Sequence, residues 1–271
     1  MRKINFLKML RTIIMISFAN SIVFRGTFLL RFFVILASLS AYYYFWLFVY
    51  RQNSTIANYD FSSFIGYLVG AQIFYSLLQP DDINMSDSIR YGELDKYLLL
   101  PSNMILILYL KLLGNRLAYA TTIFIPFLLL IIFSSLFFNT HLFRSISLLQ
   151  ILSLGFFCLG GVSLHFLMEI TIGLLAFWFE KSDFLFVVKE MIFWILAGLW
   201  LPYEFFPSAL QTIFQWSPFR YFAYIQATIL TGKAHSIAQE LILMVFWIIA
   251  FIVLTILIMK KGIKKYEAFG S

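Results

Sequence analysis

Long apolar runs separated by short polar islands set the pattern of this chain. A bilayer-crossing helix needs roughly 20 apolar residues. Six stretches fit that length: 29–50, 61–79, 117–138, 146–179, one that follows a turn at 180–183 and ends near 201, and 237–259. The first 24 residues are apolar but carry Arg2, Lys3, Lys8 and Arg11, a pattern that predicts a helix lying in the membrane interface. Residues 104–116 are apolar but include Lys111 and Arg116, which predicts a slanted entry into the third span, with Pro126 kinking it.

Two islands depart from simple span-and-loop alternation. Residues 80–102 gather charge, with Asp81 or Asp82 placed to cap a short helix, Gly92 interrupting its period and Pro101 ending the segment. Leu94, Tyr97 and Leu98 share one helical face after the glycine. Residues 202–236 hold Pro202, Pro207 and Pro218 among many aromatics, too broken to span and too apolar for a solvated loop. Two short re-entrant helices on the outer side are expected there, because irregular backbone at membrane depth must be shielded by protein. Gly66 and Gly70 in the second run, and Gly155, Gly160 and Gly161 in the fourth, are expected close-packing points.

Composition agrees with this pattern. Of 271 residues 62% are hydrophobic and 12% charged, against about 25% charged in soluble domains, so an all-α integral membrane protein is expected, one domain over 1–271. Its net charge of +7 does not call for nucleic acid. With both termini in the cytoplasm, every cation except Arg51, Arg144, Arg220 and Lys233 falls inside, as the positive-inside rule requires. No cleavable leader is expected, since no small-residue cleavage site follows the first apolar run. The single cysteine, Cys158, lies in an apolar run, and His141, His165 and His235 show no ligating spacing, so no metal or cofactor site is expected.

His165 and Glu169 stand one turn apart on one face of the fourth run. An acid that deep is costly and functional by default. A structural partner, His165 itself or Arg116 of a neighbouring helix, is the simpler reading, with a proton relay as the alternative. Asp81, Asp82 and Asp87 raise a contrasting possibility, a Mg²⁺-dependent lipid or prenyl transferase. Such a site needs a second acidic cluster, for which only Glu180 and Asp183 are available.

With these elements in order, the chain resembles the permease subunits of type-2 ATP-binding-cassette (ABC) exporters. The segment from Ile89 through Arg90, Gly92, Glu93, Leu94, Lys96 and Tyr97 to Pro101 is similar to the family's cytoplasmic R-x-G-x-L-x-x-x-L-x-x-P segment. The segment from Gly198 through Pro202, Phe205, Phe206 and Pro207 to Pro218, Phe219 and Tyr221 resembles its G-x-x-x-P-x-x-x-x-P … P-F-x-Y region. The resemblance implies a coupling helix around Gly92, formed by Arg90, Gly92, Glu93, Leu94, Lys96 and Tyr97, that seats in a separate ATPase. It also implies an outer gate formed by Pro202, Phe205, Phe206, Pro207, Pro218 and Phe219. A second permease subunit, the same or different, meeting this one along the first and fifth spans, is implied too, as is a bacterial inner-membrane location. Gly-Lys occurs only at Gly232-Lys233 and is followed by Ala234, so the chain has no G-x-x-x-x-G-K-[ST] loop. ATP and Mg²⁺ are therefore expected on the partner, and this chain is expected to be non-catalytic.

Overall fold

A computed structural model describes residues 11–13, 15–16, 18–19, 25–78, 85–94, 103–117, 120–121, 147–179, 183–233 and 236–270. The described chain is helical apart from one two-stranded turn. In order it forms α1 (Arg25–Tyr50), β1 (Thr55–Ile56), β2 (Tyr59–Asp60), α2 (Phe61–Leu78), α3 (Met85–Arg90) and α4 (104–117). There follow α5 (Leu148–Leu174) with a 3₁₀ turn at Leu175–Phe177, α6 (Asp183–Leu196), α7 (Ser208–Trp216), α8 (Tyr224–Leu230) and α9 (Ile237–Gly270). Further 3₁₀ turns lie at Tyr203–Phe205 and Pro218–Phe222. Among the described residues, four helices are long and apolar enough to cross a membrane, over Phe33–Tyr50, Phe61–Leu78, Leu148–Phe177 and Ile237–Lys265.

Local chemistry explains several boundaries. Ser147 caps α5 reciprocally: its hydroxyl accepts from the Gln150 N–H at 3.3 Å, while its own N–H donates to Gln150 Oε1 at 2.9 Å. A cap of this kind stabilises a helix by about 1 kcal/mol. Ala57 and Asn58 both take positive φ, 50° and 64°, between antiparallel β1 and β2. That is the backbone twist a two-residue hairpin requires.

The most extensive helix–helix contact among the described residues is between α5 and α9, which run parallel. Gly160 lies against Met244, Thr171 shares a hydrogen bond with Thr255 at 2.8 Å, and Phe177 covers Gly262. The register is constant along the whole contact, so the Leu148 and Ile237 ends lie on one side of the molecule and Phe177 and Gly262 on the other. The 51–60 turn joins the first side, because the Lys233 ammonium donates to the Asn58 carbonyl. α3 joins the second, because it packs where α5 ends. The second glycine spacing works as expected at Gly70, whose added Cβ would meet Leu230 at 3.0 Å and the Ala227 backbone at 3.5 Å. Gly155 is different: nothing lies within 4 Å of its Cβ position, so it is not a packing point among the described residues.

Three boundaries depart from the sequence pattern. α6 ends at Leu196 instead of near 201, because Gly198 turns the chain at φ +68°. The last helix continues beyond 259 to Gly270, carrying the basic tail as rigid helix. α1 begins at Arg25, ahead of the expected 29. Of the interfacial helix expected over 1–24, positions 11–13, 15–16 and 18–19 are helical. The rest of that segment, most of the 117–138 span with Pro126, His141 and His235 lie outside the described residues.

Candidate functional site

The polar island after α2 forms a tight knuckle. α3 is one and a half turns long, and Tyr91, Gly92 and Glu93 then reverse the chain, with Gly92 at φ +70°. A side chain is strained in that conformation, which explains a glycine here. Met85, Ile89 and Leu94 are buried, Leu94 to 1% exposure, and anchor the knuckle to the helices beneath. Gly173 of α5 makes that seat possible. A Cβ there would lie 2.7 Å from Met85 Cβ and 3.4 Å from the Ser86 nitrogen. The outward side presents Tyr91, 72% exposed, with exposed Arg90, Gly92 and Glu93. Arg90 pairs with Asp87 at 3.5 Å. Leu94 thus points into the bundle and not outward with Arg90 and Glu93. Lys96 and Tyr97, like Asp81 and Asp82, lie outside the described residues, so Asp87 is the one described member of the possible Mg²⁺ set.

A second cluster sits above the knuckle between α5 and α6. Glu169 accepts from the Lys189 ammonium, which also reaches Glu190 at 2.8 Å, and His165 Nε2 lies 3.7 Å from the same Glu169 oxygen. The direct partner of Glu169 is therefore Lys189, which sequence reasoning counted only as a cytoplasmic cation. A lysine midway along a short apolar helix is the signal that could have pointed to it. Arg116 is within electrostatic range of His165 and Glu169, but donates to the Leu78 carbonyl at 3.4 Å. Ligand atoms of His165, Glu169 and Glu190 fall within 4.8 Å of one another, a spacing that suits a metal ion. Here the Lys189 ammonium bonds both carboxylates and supplies the positive charge itself.

The broken aromatic segment packs as a dense plug between α2, α5, α6 and α9. Tyr203 stacks on Tyr224 at 3.8 Å, and the Tyr224 hydroxyl donates to Glu204 at 2.9 Å. Tyr67 of α2 donates to the Gly198 carbonyl at 2.5 Å. Arg220 and Glu240 form a buried ion pair at 2.7 Å, and the Tyr221 hydroxyl donates to Glu240 as well. Phe222 reaches far into the bundle, its ring edge-on to His165 at 5.7 Å. Of the expected gate residues, Phe205 joins Trp46, Tyr59 and Phe64, whereas Phe219 packs on Phe193 and Phe222. Phe206 packs on Phe214, Pro202 and Pro218 are buried, and Pro207 is exposed. These residues are distributed through the plug.

At the rim, Lys233 sits 3.6 Å above the Tyr59 ring and ties the plug to the 51–60 turn. Burial lowers its pKa, with Asp60 opposing. The Asp60 carboxyl is held below its usual value chiefly by the Ser63 hydroxyl, which donates to it at 2.6 Å. On the flank, α1, α2 and α6 enclose a groove of about 500 Å³, mostly apolar, with Ser38, Gln72 and Ser76 as its polar lining.

This chain crosses the apolar phase several times, presents a compact knuckle at one end and plugs the other with aromatics. No match is found among the curated proteins or the solved structures. Residues 36–270 match the family described as "ABC-2 family transporter protein". That match takes in the knuckle, the buried ion cluster and the plug together, and the chain belongs to the ABC-2 transporter family.

Proposed function

We propose that the chain is the membrane-spanning subunit of an ATP-driven exporter, and that a separate cytoplasmic ATPase drives it through the 85–94 knuckle. The observation that carries this reading is the seat of α3 on Gly173. A knuckle fastened to the end of α5, and through Phe177 to α9, moves those helices as one lever. Arg90, Tyr91, Gly92 and Glu93 face outward for the ATPase, while Leu94 holds the lever to the bundle; Lys96 and Tyr97 are further contacts in this proposal. Glu169 and Lys189 tie α5 to α6, which leads directly into the plug, so motion at the knuckle reaches the opposite rim.

Six spans fit this reading. α6 is 14 residues, or about 21 Å, against a hydrocarbon core of about 30 Å. The contact of Phe222 with His165, about 25 Å along α5 from Leu148, supports a re-entrant plug that completes the crossing. Cargo is hydrophobic or amphipathic: the groove beside α1, α2 and α6 is mostly apolar. α1 and α6 expose Phe33, Phe45, Phe48, Val187 and Met191, which a second permease subunit would cover. The cation distribution supports a topology with both termini in the cytoplasm; the proposed location is a bacterial inner membrane, with ATP and Mg²⁺ bound by the ATPase alone.

Co-purification of an ATPase with the intact chain tests the proposal. Retention that drops when Glu93→Lys reverses the exposed knuckle charge, with membrane insertion preserved, supports it. A chain that transports with no ATPase present overturns it.

A further inference from the structure

We propose that the basic end of α9 is a binding surface for anionic phospholipid headgroups, with Lys260, Lys261 and Lys264 as the contacting cations. This goes beyond the transport reading and needs only that α9 crosses the bilayer. α9 is 34 residues long and continuous, about 51 Å at 1.5 Å per residue, so about 20 Å of helix projects beyond a 30 Å core. The projecting part opens with Lys260, Lys261, Lys264 and Lys265.

Rotation of that part is fixed. Gly262 is buried against the Phe177 ring, which occupies the space a Cβ would take. At about 100° per residue, Lys260 and Lys264 lie within about 20° of the direction opposite Gly262. They therefore face away from the protein, and both are exposed, as is Lys261; Lys265 is half-buried nearer the bundle. The same face continues down the membrane part of the helix. Ile242, Phe246, Ile249, Val253 and Leu257 recur at three- and four-residue spacing and are 71%, 57%, 56%, 50% and 52% exposed. Lys260 and Lys264 are the next two members of that series. One stripe therefore presents apolar side chains at acyl-chain depth and ammonium groups where phosphates lie. No acid occurs in α9 between Glu240 and Glu267 to neutralise it. Apolar length and charge together select an anionic lipid over a soluble acidic protein, for which the stripe below the lysines would have no use.

The test uses the full chain purified in detergent, without ATPase or nucleotide, titrated with phosphatidylglycerol or phosphatidylcholine and read by native mass spectrometry. Phosphatidylglycerol should bind more tightly, and its binding should weaken about fivefold per lysine neutralised in Lys260→Gln, Lys261→Gln and Lys264→Gln combinations. A triple Arg variant, which keeps the charge and controls for folding, should bind like the parent chain. Equal binding of both lipids, or phosphatidylglycerol binding untouched by the triple Gln change, overturns the proposal. Protection of Lys260 and Lys264 from amine labelling by a second copy in lipid-free detergent would also overturn it. Because no ATPase is present, none of these outcomes bears on the transport reading.

Discussion

Met85 of the knuckle sits so close to Gly173 of α5 that an added methyl there would lie 2.7 Å from its Cβ. The contact joins a charged island to a membrane helix at a position where α5 has no side chain. Gly173→Ala should therefore lift α3 from its seat, at a cost of about 1–3 kcal/mol from overpacking. Thermal unfolding in detergent measures the loss. Met85→Gly in the same chain, which removes that Cβ, should recover part of it, since the two changes share one contact. Simple additivity of the two losses would show that the seat is not where the strain falls.

Gly92 turns the chain at φ +70°. Gly92→Ala should cost about 1–2 kcal/mol, and Gly92→Asn less, because asparagine tolerates that conformation. Under the transport reading both should reduce ATPase retention in the same order, with membrane insertion unchanged. A co-purification series checks the ranking.

Removing one partner of a buried ion pair costs about 3–5 kcal/mol, because it strands the other charge. Lys189 holds two carboxylates, so Lys189→Met should destabilise the protein more than Glu169→Gln, which leaves Lys189 on Glu190. Unfolding temperatures of the two variants should separate in that order. The reverse order would mean that another cation, such as Arg116, balances Glu169.

At the rim, the Asp60 carboxyl is held below its usual range mainly by the Ser63 hydroxyl. A depressed folded-state pKa stabilises the fold fully above the unfolded value, and that contribution is lost as pH falls through the depressed one. Hydrogen exchange in the 51–60 turn should therefore speed up only at acid pH, below the ordinary Asp range. Ser63→Ala should shrink the loss, because the unfolded value fixes where it begins and less of the depression remains to be lost. A loss of unchanged size would contradict the assignment.

The sequence made the gross architecture legible because burial in lipid imposes long apolar runs, and these survive any detail of packing. Gly92, Pro202 and Pro218 were equally visible, since each breaks a helical period by itself. Partnerships across helices were not. Glu169 announced a buried charge, but its partner Lys189 lies on another helix and reads locally as one more positive-inside cation. Arg220 was placed outside by the same reasoning, yet it is buried against Glu240. The seat at Gly173 gave no signal, because a lone glycine in an apolar helix has many ordinary explanations. The short α6 was also hidden: its apolar run continues past Leu196, and only the turn at Gly198 and the plug packed on it stop the helix.

The central claim is that force enters through the 85–94 knuckle. Cysteine crosslinking from Glu93→Cys to a separately encoded ATPase in membrane vesicles tests it most directly. The account predicts a crosslink that forms on the cytoplasmic face and changes yield when Mg²⁺ and ATP are added. A Glu93→Cys thiol labelled only from the outer face, or never crosslinked to an ATPase, would contradict it.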